Sequence, residues 1–167
     1  AMFGYVTAEA TRGDIDRLLA EVAETLAAEG WALAGAVQVN SGSCDTGDCD
    51  MDLRLLDGSG TIRISQTLGP GSDGCKLDPA GLEEAVGCVS VALGQCPRLL
   101  IVNKFGRQEA EGRGFRPLIA EALGAGIPVL TGVSHDHRAA FTAFAEDLAT
   151  ALPADAAAIL DWCRATA

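Results

Sequence analysis

The stretch Leu99-Leu100-Ile101-Val102-Asn103-Lys104-Phe105-Gly106-Arg107-Gln108-Glu109-Ala110-Glu111-Gly112-Arg113-Gly114-Phe115-Arg116 decides the fold. Its apolar start, Leu99 to Val102, predicts a short strand buried on both faces, the mark of a parallel sheet. The run then turns abruptly polar, charged and glycine-rich. Open α/β sheets place ligands outside the carboxyl ends of their strands. Here that end carries Lys104, Arg107, Arg113 and Arg116 against Glu109 and Glu111, in a chain of formal net charge −11. Gly106, Gly112 and Gly114 would let backbone N–H groups approach a ligand. The expectation is an anion site built from Asn103, Lys104, Gly106, Arg107, Gly112, Arg113 and Gly114.

The rest of the chain alternates in the same style. Phe3–Thr7 predicts a strand. Asp14–Glu29 predicts a helix, with Ile15, Leu18, Leu19, Val22 and Leu26 on one stripe and Gly30 as its stop. Trp31–Val39 predicts a second buried strand. Asp52–Leu56 and Thr61–Ser65 flank Asp57-Gly58-Ser59-Gly60, a hairpin signal. Pro79–Leu93 predicts a helix capped by Asp78. Phe115–Leu123 predicts a helix, Ile127–Thr131 a strand, and Arg138–Leu148 and Ala154–Ala165 two closing helices. The order β-α-β, hairpin, α-β-α-β-α-α means α/β: a three-layer, mostly parallel sheet with a β-hairpin extension, in one domain over residues 2–167.

Composition narrows the function classes. A chain of 167 residues with 49% hydrophobic residues can bury a core without metal or disulfide staples. The net charge of −11 argues against nucleic-acid partners and against docking on anionic membranes. No apolar run approaches the ~20 residues of a membrane span. The absence of a signal-peptide pattern leads us to expect a cytoplasmic protein with reduced thiols. Of six cysteines, Cys88 and Cys163 fall in apolar helical patterns and read as core. Cys44, Cys49 and Cys75 lie in polar, glycine-rich surroundings. Cys44 and Cys49, among Asp45, Asp48, Asp50 and Asp52, could hold a soft metal with His135 and His137, but the spacing matches no common zinc module and a polar loop is the simpler reading. His135 and His137 follow the last strand, where an acid–base role is open to them.

The first strand–loop–helix has the frame of a phosphate-binding loop, G-x-x-x-x-G-K-[ST]. Ala8 stands at the first glycine, Gly13 at the second, Asp14 at the lysine and Ile15 at the magnesium-holding hydroxyl. Asp14 brings the wrong charge for phosphates, and Ile15 cannot bind Mg²⁺. Thr11 and Arg12 are the loop residues left to favour an anion. Asn103 stands where a Walker-type enzyme carries its magnesium-holding Asp, and otherwise would bond neighbouring backbone at the strand end. Arg54, Arg63, Ser65 and Gln66, on or beside the hairpin, add further oxyanion-binding types, or else form a solvated face.

The succession of strand–loop–helix, Gly35-Ala36-Val37-Gln38-Val39-Asn40, Met51-Asp52-Leu53-Arg54, Arg63-Ile64-Ser65-Gln66 and Ile101-Val102-Asn103-Lys104-Phe105-Gly106 resembles an uncharacterised bacterial domain family from about Tyr5 to Trp162. Members of that family are often encoded near molybdate-transport genes and labelled as molybdenum-transport ATP-binding proteins. The family is similar to small P-loop nucleoside-triphosphatases, whose second motif is a strand followed by Asp-Glu-Ile-Gly. The resemblance implies a P-loop-NTPase-like fold, a link to molybdenum supply, and molybdate-transport or cofactor-assembly proteins as partners. The expected function is binding of a small anionic ligand: a nucleotide, a phosphate compound or an oxyanion such as molybdate. The alternatives are a weak nucleoside-triphosphatase, with Glu109 or Glu111 orienting water, and a regulatory module that contacts other proteins. Nothing in the sequence names a cofactor.

Overall fold

A computed structural model describes residues 2–7, 14–41, 50–66 and 77–167. Among these residues the chain builds a seven-stranded sheet in the order β4-β3-β2-β5-β6-β1-β7. The strands are β1 (Phe3–Thr7), β2 (Leu33–Ser41), β3 (Asp50–Leu55), β4 (Gly60–Arg63), β5 (Leu99–Phe105), β6 (Val129–Val133) and β7 (Ala149–Ala151). From β2 through β5, β6 and β1 to β7 every pairing is parallel. β3 and β4 form the expected antiparallel hairpin at the β2 edge.

The helices cover both faces, as a parallel sheet requires. The helices α1 (Asp14–Ala28) and α6 (Ala156–Thr166) lie on one face. There Leu19, Val22, Leu26, Ile159 and Cys163 pack on Val37, Leu99, Ile101 and Leu130. The opposite face carries α2 (Pro79–Leu93), α4 (Arg116–Gly124) and α5 (Arg138–Ala145). Phe105, Phe115, Ile119 and Phe141 fill that layer with Val102 and Val129. Leu99 to Val102 are fully buried, alternating between the two cores, which confirms the two-faced burial expected of this strand.

Local chemistry explains the element ends. Gly30 adopts φ +87°, the left-handed position after α1 that favours glycine. Asp78 caps α2, its Oδ1 accepting the Ala80 N–H at 3.1 Å, with Pro79 opening the helix. Gly35 is required by packing: at φ +113° any Cβ would run into the Ile101 backbone of the neighbouring strand.

Five expectations need correction. β5 continues beyond Val102 to Phe105, through a register irregularity between these residues. A short helix, α3 (Arg107–Ala110), follows where the expectation was loop. The closing helix expected to run to Leu148 stops at Ala145, and Glu146 takes φ 52°. Ala149–Ala151 then becomes β7, held by its pairing with β1 and not by any apolar alternation. Cys163 is buried as expected, whereas Cys88 is only partly so.

Candidate functional site

The crossovers place the chemistry. From β1 the chain turns through α1 toward β2, on one side of the sheet. From β6 it turns through α5 toward β7, on the other. The carboxyl ends of β1 and β6, paired at Thr7 and Val133, therefore flank the switch point where such sheets bind ligands. The end of β5 lies next door, and the Ser134 N–H donates to the Phe105 carbonyl across that gap at 3.3 Å.

A closed set of polar side chains occupies this edge. Asp16, in the first turn of α1, and Asn103, near the end of β5, are both buried. Asn103 Nδ2 donates to Asp16 Oδ1 at 2.6 Å. Asn40 Nδ2 donates to Asp16 Oδ2 at 2.9 Å. Asn103 Oδ1 accepts the Gln38 backbone N–H at 2.8 Å, and Gln38 Nε2 donates to Asn40 Oδ1 at 2.9 Å. The carboxylate is thus held by two amides, and the ends of α1, β2 and β5 are tied together. The backbone-bonding reading of Asn103 is the one observed: near the carboxyl end of β5 it accepts the Gln38 N–H.

That arrangement tests the magnesium site implied by P-loop enzymes. Asn103 turns its donor nitrogen, not an oxygen, toward Asp16. Its amide oxygen is engaged by β2. With Ile15 at the hydroxyl position, the residues present do not fit a Mg²⁺ ion held in that manner.

Lys104 lies within the β5 irregularity and is exposed; it pairs with no described residue. Bulges re-aim side chains and recur beside active sites. The other expected ligand residues are engaged locally. Arg107 Nε lies 3.5 Å from Glu111 Oε1. Arg113 pairs with Glu111 Oε2, and its Nε donates to Gln108 Oε1 at 3.1 Å. Arg116 Nη1 donates to the Glu109 carbonyl at 3.4 Å, and its guanidinium lies over the Phe144 ring. Arg63 Nε donates to Asp52 Oδ1 at 2.5 Å, which holds its pKa above the ordinary arginine value. Arg54 contacts Glu24 at 3.3 Å. Ser65 Oγ accepts the Met51 N–H, and Gln66 Nε2 donates to the Leu77 carbonyl. Gly106 caps α3, while Gly112 and Gly114 take positive φ in the turn that follows. The edge near Lys104 therefore gathers Asn103 and Gly106, whereas Arg63, Ser65 and Gln66 belong to the hairpin side. Thr11, Arg12, Cys44, Cys49 and Cys75 lie outside the described residues.

Glu109, proposed from sequence as a water-orienting group, is buried. Its oxygens accept the N–H groups of Gly106 and Phe115 at 2.9 and 3.0 Å. Glu111 is a partner of two arginines. His137 Nδ1 and Ser134 Oγ share a hydrogen bond of 2.6 Å at the end of β6, and no group of three metal-ligating side chains occurs among the described residues. Asp16, Gln38 and Asn40 were not singled out from sequence. The available signal was Asp16 itself, a carboxylate three residues before Leu19 on the buried stripe of α1.

Fold and site together define a three-layer α/β protein with a mostly parallel sheet and a closed Asp16–Asn40–Asn103 set at its carboxyl edge. The chain belongs to the family described as Protein of unknown function (DUF2478), whose model matches residues 5–162. It is similar to a molybdenum import ATP-binding protein, ModC 2, of Bradyrhizobium diazoefficiens: 39% identity over 155 residues, covering 92% of this chain and 17% of that protein. The chain thus spans about a sixth of that relative's length. In structure it is similar to a human cancer-related nucleoside triphosphatase, with a TM-score of 0.62 and 16% identity over 90% of this chain and 87% of the other. That likeness is one of fold. Among the described residues no helix is long and apolar enough to cross a membrane.

Proposed function

We propose that this chain is a cytosolic anion-binding domain of degenerate P-loop type, accessory to molybdenum transport or metabolism. It would take a nucleotide, a phosphate compound or an oxyanion such as molybdate at the carboxyl edge beside Asn103 and Lys104, without turning it over. The observation that carries this reading is the Asn103–Asp16 hydrogen bond of 2.6 Å. This bond within the chain engages both side chains with each other, which supports binding without metal-dependent turnover. Lys104 supports the anion half of the reading as an exposed cation at the ligand edge. The 39% identity to a molybdenum import ATP-binding protein supports the molybdenum half. Molybdate-transport or cofactor-assembly proteins would be the partners. Slow triphosphate hydrolysis is the competing reading, but the engagement of both Glu109 oxygens by backbone N–H groups favours binding over turnover.

Isothermal titration against ATP, GTP, phosphate, molybdate and tungstate, paired with a phosphate-release assay in Mg²⁺, tests the proposal. Saturable heat with at least one anion and a flat release baseline is the expected outcome. No binding at millimolar anion overturns it. Release that vanishes in Glu109→Gln would establish the hydrolase instead.

A further inference from the structure

The segment after β5 is closed by carboxylates from two different elements. Glu109 of α3 is 3% exposed, with Oε1 accepting the Gly106 N–H and Oε2 the Phe115 N–H. Glu83, on the exposed side of α2, accepts the N–H of Gly114 at 3.1 Å. The consecutive amides of Gly114 and Phe115 therefore bind carboxylates from α2 and α3. Gly114, at φ +62°, lets Glu109 pack on its bare Cα; a Cβ there would collide with Oε2.

Several charged groups face this point, yet no described cation bonds the Glu109 carboxylate. Arg116, from α4, reaches the Glu109 carbonyl and is held over Phe144 of α5. Lys104, from β5, runs its methylene groups past Gly106. Arg107 and Glu111 pair with each other, and Arg113 goes to Gln108 and Glu111. What remains beside Glu109 is the like charge of Glu83.

We propose that Glu109 and Glu83 form a proton-responsive clasp that sets how firmly the segment 106–115 is held, and with it the presentation of Lys104, Arg107 and Arg113. The clasp operates whether or not the segment binds an anion. Its sign follows from linkage. Burial first, and the Glu83 charge in addition, hold Glu109 above its ordinary value of 4.5, while the two N–H bonds offset part of this. Opening the segment hydrates Glu109 and returns it toward that value. The closed form then binds the proton more tightly than the open one. The stabilisation is fully present below 4.5 and is lost as pH rises through the elevated value. The clasp tightens on acidification and is looser when Glu109 is ionised.

Amide hydrogen exchange by NMR on the full chain, from pH 4 to 8 and corrected for intrinsic rates, reads the clasp at Gly106, Gly114 and Phe115. The Glu109 carboxyl carbon is titrated in parallel. Protection at the three amides should fall through the Glu109 midpoint, by about tenfold for each pH unit that the midpoint exceeds the ordinary value. Protection of Leu130 in β6 should not follow. Glu83→Gln keeps an oxygen acceptor and removes the charge, so it should lower the midpoint and raise protection at neutral pH. Glu109→Gln should remove the pH dependence; where that variant fails to fold, Glu83→Gln decides alone. A Glu109 midpoint at or below 4.5, or a Glu83→Gln variant with unchanged midpoint and protection, overturns the proposal.

Discussion

Replacing Asn103 by Ala should destabilise the protein by about 3–4 kcal/mol, and the amount can be built from the bonds lost. The side chain donates to the buried carboxylate of Asp16 and accepts the Gln38 N–H. A hydrogen bond to a charged group contributes ~1.5–3 kcal/mol, and a buried N–H left without an acceptor costs ~1–3 kcal/mol. Relaxation and water entry reduce the sum toward its lower half. For a domain of this size, 1 kcal/mol moves Tm by ~2–4 °C, so the expected fall is roughly 6–16 °C. Thermal melts and urea titrations of the wild type, Asn103→Ala, Asp16→Ala and the double variant form a cycle. The double variant should lose clearly less than the sum of the single losses, because the second change removes the group that the first left unpaired. A single-variant loss below ~1 kcal/mol, or strict additivity, would refute the reasoning: the two side chains would then be solvated neighbours, not a buried couple.

Asp78→Ala should cost ~1 kcal/mol through the lost cap of α2, a Tm fall of ~2–4 °C measurable by scanning calorimetry. Cys163 should resist a thiol reagent in the native protein, because burial pushes its pKa up to about 12 and closes access. The exposed Cys96 should react at once, and equal native-state rates for the two thiols would contradict this placement.

The contrast between what the sequence shows of the fold and what it hides of the site has a physical origin. β1 matches its sequence reading residue for residue, and so does α2, because apolar runs, a capping Asp and a leading Pro are local signals. β7 has no such signal. Ala149-Thr150-Ala151 is a strand because β1 offers it backbone partners, and that contact is remote in sequence. The same distinction governs the site. The cationic excess after β5 is real, but charge counting does not reveal geometry. Arg107 and Glu111 are one helical turn apart, and Arg63 stands opposite Asp52 across the hairpin, so carboxylates already accompany these cations. Lys104 differs: it lies in the β5 irregularity and is exposed, with no carboxylate partner among the described residues. Asp16 is the converse case. On α1 it is a carboxylate among apolar residues, an unfavourable choice until the fold brings two amides to it from β2 and β5. A buried carboxyl group that meets only neutral donors among the described residues is retained at a cost to stability. In this chain it lies at the carboxyl edge of the sheet, the edge that open α/β sheets in general use for ligands, so its partners Asn40 and Asn103 connect the stability of the fold to the geometry of the proposed site.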